Sequence, residues 1–154
     1  MGFVTRFMDA DHIYIDQLWV EFLAEKENSI KAAQFFDKFQ THIQKHIHLE
    51  DTVLFPRFDV YTGLSDKEGP TVLARRDHEA ITKLMAAVKS ACEIRNMKEI
   101  QRLGEHLQRA LFKHRERENK IQYPVLDSFI SEDEWSHILE RVYGTSDMSV
   151  VYTK

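Results

Sequence analysis

The chain has 154 residues, enough for one domain that buries its own core without disulfides or a partner. Its 25 acidic and 21 basic side chains leave a formal net charge of −4 with no long run of either sign, which argues against nucleic acid or an anionic membrane as a partner. The lone Cys92 cannot form an intrachain disulfide, residues 1 to 5 lead into no signal-like apolar segment, and no apolar stretch approaches the roughly 20 residues that span a bilayer, so a reducing cytoplasm is the expected location.

With only five Gly and three Pro to interrupt it, the chain reads as all-α. A first helix is expected from Thr5 or Asp9 to about Asn28, with an apolar stripe of Met8, Ile15, Trp19, Phe22 and Leu23 that takes in His12. A second, capped by Asn28 or Ser29, runs through Phe35, Phe36, Phe39, His42, Ile43, His46, Leu49, Glu50 and Val53 and stops before Pro56. The turn-rich stretch over residues 61–70 separates the two halves. Pro70 opens a third helix bearing Leu73, His78, Ile81, Leu84, Met85 and Val88 on one face. Asn96 caps a fourth, whose stripe is Met97, Ile100, Leu103, Leu107, Leu111, His114, Glu118 and Ile121, ending around Pro124. Ser131 and Glu134 have capping-box spacing at the start of a short fifth helix that ends at Gly144. One domain over residues 1–154 is expected, with the bundle at about 5–130, the short helix at about 131–143 and a tail over 144–154.

One pattern occurs twice. His46, Glu50 and Pro56 are matched by His114, Glu118 and Pro124, and an Asp-His pair precedes each copy, Asp11-His12 and Asp77-His78. Ile15 and Leu18 stand at the same offsets from His12 as Ile81 and Leu84 do from His78, while Phe55 and Tyr123 each lie nine residues beyond their histidine. The matched spacing predicts a duplicated helical hairpin and a bundle with approximate twofold symmetry.

Residues i and i+4 share a helix face about 6 Å apart, so His46 can bind one metal while Glu50 reaches across to a second, and His114 with Glu118 repeats this. His12 and His78 complete a set of four imidazoles and two carboxylates. One such residue in an apolar stripe is commonly a hydrogen-bonded core group. Six in the inward rows of four helices would strand several buried polar groups at about 1–3 kcal/mol each, a cost that a metal removes. A mixed shell of His and carboxylate points to non-haem iron, with manganese and zinc left open because ligand type does not settle the metal. His42 is a spare ligand or a supporting group; His48, His106 and His137 read as surface residues. Asp11, Asp77 and Glu79 read as helix-surface charges, with orientation of the ligand imidazoles as the alternative.

These residues resemble the hemerythrin-like (HHE cation-binding) family over roughly residues 5 to 130, through His12, His46 with Glu50 and Leu54-Phe55-Pro56, His78, and His114 with Glu118. The resemblance implies an up-down-up-down four-helix bundle holding two iron ions, ferrous or ferric, bridged by Glu50, Glu118 and an oxo or hydroxo group. Two departures stand out. Oxygen-carrying members place a further His where this chain has Ala74, and they end the site with an Asp five residues beyond the last His, where this chain has Glu118 at four. Without that imidazole both irons keep an exchangeable position, unless His42 replaces it. A ferritin-like di-iron site would need Glu-x-x-His on two helices, and the sole instance is Glu134 to His137.

The first functional expectation is therefore binding of O2, nitric oxide or peroxide for sensing, delivery or scavenging. The alternative is a di-iron oxidoreductase that decomposes hydrogen peroxide or uses O2 on a substrate, served by a protein redox partner, with Tyr14 and Tyr123 as nearby redox or proton donors. Iron sensing or storage is a third class.

Overall fold

The computed structural model describes residues 2–64 and 67–147, and all regular structure among them is helical. Helix α1 spans Phe3–Ala24 and α2 spans Ser29–Leu49, followed by a π-helical turn, Glu50–Leu54, and α3, Phe55–Thr62. The second half repeats the plan with α4 at Pro70–Glu93, α5 at Met97–Arg117, a π-helical turn at Glu118–Gln122 and α6 at Tyr123–Phe129. A last helix, α7, covers Glu132–Tyr143. The chain forms the expected up-down-up-down all-α bundle, α1 packing mainly on α2 and α4 on α5. Of the connection at 61–70, residues 65 and 66 lie outside the described residues, as does the tail from residue 148.

The caps explain most boundaries. The Asn28 side chain accepts from the Lys31 N–H, Asn96 from Glu99 and Ser131 from Glu134, each satisfying an orphan donor of the first turn. Gly144 closes α7 with a left-handed φ of 75°, where a Cβ would be strained. Helix α1 starts earlier than its own sequence indicates, at Phe3. Its cap is the Asp127 carboxylate of α6, which accepts from the N–H groups of Gly2, Val4 and Thr5 and from the Thr5 hydroxyl.

Neither Pro56 nor Pro124 ends its helix. The N–H groups of Phe55 and Tyr123 bond back five residues, to the carbonyls of Glu50 and Glu118, and each widened turn carries the chain past a proline. In a regular helix the ring would clash with the carbonyl four residues back; the wider turn relieves this. It also shifts the inward face. After Glu118 the buried positions are Gln122 and Tyr123, while Ile121, expected inside, is exposed. Leu73 is likewise exposed, because α4 turns its Thr71, Ala74, His78, Ile81, Met85 row inward.

Two apolar clusters fill the bundle. One joins Trp19, Phe22, Phe36, Phe39, Met85 and Leu107 with their neighbours. The other packs the start of α1 against α6 and α7, where Phe7 meets Trp135 edge-on with ring centroids 5.4 Å apart. No described helix is long and apolar enough to cross a membrane.

Candidate metal centre

A polar layer lies in the bundle interior. His12 on α1, His46 on α2, His78 on α4 and His114 on α5 are joined by Glu50 and Glu118, the first residues of the two π-helical turns. All six are 6 % exposed or less. The one-turn spacing within each His-x-x-x-Glu motif brings His46 Nε2 to 2.8 Å from Glu50 Oε1, and His114 Nε2 to 3.0 Å from Glu118 Oε1.

The imidazoles face one another in pairs. His12 and His46 approach to 3.3 Å between Nε2 atoms, and His78 and His114 to 3.0 Å. Three of the four have Nδ1 tied to a carboxylate. His46 Nδ1–H donates to Asp11 at 2.5 Å, His78 to Asp51 at 2.8 Å and His114 to Asp77 at 3.2 Å. An imidazole whose Nδ1–H is held this way turns Nε2 toward the layer, so three Nε2 atoms converge there, each able to offer a metal a lone pair when its ring is neutral.

Buried charges in the layer shift one another. Burial disfavours a charge on His46, yet Glu50 and Asp11 outweigh it and raise the imidazole to about 10. His78 is raised to about 9, because Asp51 and Glu50 together outweigh burial. His12 and His114 go down, His12 far down, chiefly through burial; the His46 and Arg115 charges add to the effect on His12. Burial would raise Glu50, but His46 and His78 hold it well below the usual carboxylate range. Asp11 is pulled down against the same burial by hydrogen bonds from His42 and His46.

Both buried oxygens of Glu118 find no hydrogen-bond donor, and Glu50 Oε1 is held only through ionic contact with His46 and His78. An unpaired buried carboxylate is among the costliest features a core can hold. The ligand atoms of Glu50, His78, His114 and Glu118 lie within 4.8 Å of one another, as do those of His12, His46 and Glu118. Glu118 belongs to both sets, and Glu50 Oε1, 2.8 Å from His46 and 3.6 Å from His78, touches a member of each. Stranded anionic oxygens beside converging imidazole Nε2 atoms are what bound cations would satisfy, so the residues fit a metal.

The structure thus brings together all six residues picked out in the sequence. His42 is buried but belongs to neither set; its Nε2 lies 2.6 Å from the other oxygen of Asp11. Asp11 and Asp77, read first as surface charges, hold imidazoles, whereas Glu79 is exposed, as are His48, His106 and His137. Tyr123 donates to Glu50 Oε2 at 3.3 Å, and Tyr14 meets the His42 ring edge-on. Asp51 was missed. Its position beside Glu50 suggested nothing, because its counterpart in the second copy is Asn119.

A cavity of about 10 Å³ beside the histidines has room for about one water. Its wall is Ile15, Ile43, Ile47, Ile81, Leu111 and Arg115 together with the four imidazoles.

A helical bundle with a buried His/Glu cluster able to take a cation defines a metal-binding bundle protein. The Hemerythrin HHE cation binding domain matches residues 4–131, and the chain belongs to this family. No curated protein and no solved structure matches the chain.

Proposed function

We propose that the chain holds two iron ions between His12, His46, Glu50, His78, His114 and Glu118 and takes up O2 or a related small ligand, nitric oxide or peroxide, for sensing, delivery or scavenging. The observation that carries this reading is the pairing of Nε2 atoms at 3.3 and 3.0 Å beside two buried carboxylates, of which Glu118 has both oxygens stranded. Iron bound there would supply redox-active, exchangeable coordination for the ligand.

The chain's own residues do the rest. Glu50 and Glu118 each reach toward both histidine pairs and set their separation. Asp11, Asp51 and Asp77 keep Nδ1 protonated, so that Nε2 remains the donor atom. Tyr123 holds one oxygen of Glu50 in place. The isoleucines and Leu111 make the cavity wall largely apolar, and its size, about that of one water, turns away organic substrates.

Ala74 favours a second reading, peroxide decomposition. It is buried where carrier relatives are expected to have a further histidine, and His42, engaged with Asp11, does not replace it. Both readings are tested by loading the protein with two ferrous ions per chain without air, admitting O2, recording the visible spectrum and then removing the O2. An absorption band that comes and goes with O2 supports reversible binding. Irreversible oxidation followed by consumption of added peroxide supports the second reading. A chain that takes up no iron sinks both.

A further inference from the structure

The internal duplication breaks on the outer side of α4 and α5. In the first half Tyr14 and His42 meet edge-on with ring centroids 4.7 Å apart, and His42 Nε2 lies 2.6 Å from Asp11. Tyr14 is two residues beyond His12 and His42 four before His46; the same offsets from His78 and His114 fall on Ala80 and Ala110. Two methyl groups thus stand where the other hairpin packs two rings. Between α4 and α5 they leave a groove of about 380 Å³, within the roughly 300–1,000 Å³ of small-molecule sites.

The floor of the groove is apolar, Ala80, Leu84 and Ala110, and its rim is basic. Arg109, Lys113 and Arg117 follow one another on α5 at steps of four, with His106 beyond Arg109. In the first half Thr41 and Leu49 occupy the positions of Arg109 and Arg117, so two of these three charges have no counterpart there. Asp77, the carboxylate in the wall, is already engaged, accepting from His114 Nδ1 at 3.2 Å and from Arg117 Nη2 at 3.1 Å. Arg117 uses only Nη2 for this, which leaves Nη1 and Nε. Among the described residues neither Arg109 nor Lys113 has a carboxylate within ion-pair distance. Arg109, Lys113 and Arg117 against Asp77 leave the wall two positive charges in excess, which a phosphate monoester dianion balances.

We propose that the α4–α5 groove binds a small organic phosphate monoester, its phosphate on Arg109, Lys113 and Arg117 and its apolar body on Ala80, Leu84 and Ala110. The bound phosphate is then separated from His114 by Arg117 and Asp77 alone.

The test is a calorimetric titration of phenyl phosphate into the full chain, with inorganic phosphate titrated in parallel. Lys113→Glu is expected to weaken phenyl phosphate by about tenfold or more. Lys45→Glu makes the same change of charge at the corresponding position of the first half and is expected to shift it by less than about threefold. Ala80→Tyr combined with Ala110→His, which rebuilds the ring pair of the first half, is expected to remove binding while helical circular dichroism stays as in the wild type. If that double variant loses helix, Lys113→Glu decides, since its side chain is exposed. No binding of phenyl phosphate to the wild type at millimolar concentration overturns the proposal, as does unchanged affinity in Lys113→Glu or in the folded double variant. Equal weakening by Lys45→Glu reduces the effect to net charge and overturns it too. Inorganic phosphate that binds as tightly as phenyl phosphate overturns the role of the apolar floor and with it the ligand class.

Discussion

Asp11 and His46 lie 2.5 Å apart, carboxylate oxygen to Nδ1, and Asp77 stands in the same relation to His114 in the second half. The aspartate that precedes one histidine in sequence thus supports the histidine of the next helix. Asp11→Asn is expected to lower metal affinity about 10- to 100-fold, since the amide cannot fix the imidazole proton as the carboxylate does. Asp77→Asn should act in the same direction but less, because Asp77 is partly exposed and shared with Arg117. Competition with a chelator of known affinity checks both, and equal affinities in wild type and Asp11→Asn would rule out the orienting role.

The two glutamates should part company when the metal is removed. Glu118 has both oxygens stranded, so Glu118→Gln is expected to leave the metal-free protein as stable or to stabilise it by about 1–3 kcal/mol, while metal binding is lost. Glu50 is ion-paired with His46 and accepts from Tyr123, so Glu50→Gln should destabilise the metal-free protein as well as abolish binding. Denaturant unfolding of both variants, with and without iron, checks this. A Glu118→Gln chain that is clearly less stable without metal would contradict it.

Stability of the metal-free protein should peak near pH 6.5. Folded His46 and His78 titrate at about 10 and about 9, above the ordinary 6.5, so their stabilisation is complete below pH 6.5 and is lost as pH rises through those values. His12 and His114 are shifted the other way. The unfolded chain takes up their protons first as pH falls below 6.5, so stability declines on that side too. Metal requires all four imidazoles neutral, so iron affinity should instead climb between pH 6.5 and 9. Unfolding followed across this range with and without iron should show the two curves diverging on the alkaline side; parallel curves would refute the prediction.

The inward rows of four helices and the six clustered residues were legible because burial has helical periodicity and the motif is written twice. What escaped were features set by tertiary contact. Pro56 and Pro124 read as stops because proline breaks regular helices; that the Glu50 and Glu118 turns would widen to pass them has no periodic signal. Asp51 reaches His78 from the other hairpin, a pairing that no spacing within one helix encodes.

The start of α1 is a further such case and yields a direct test. Gly2 and Phe3 offer no capping side chain, and the cap comes from Asp127, 125 positions from Gly2. The carboxylate satisfies three orphan N–H groups and sits at the positive end of the α1 dipole. Asp127→Ala should cost about 1–2 kcal/mol, in the range for lost helix caps. The effect should be local first. Amide exchange at Val4 and Thr5 should accelerate well before that of residues in the His12 turn, because only the first turn loses its acceptor. If Val4 and Thr5 keep wild-type protection in Asp127→Ala, α1 is capped by its own chain and the long-range contact contributes little.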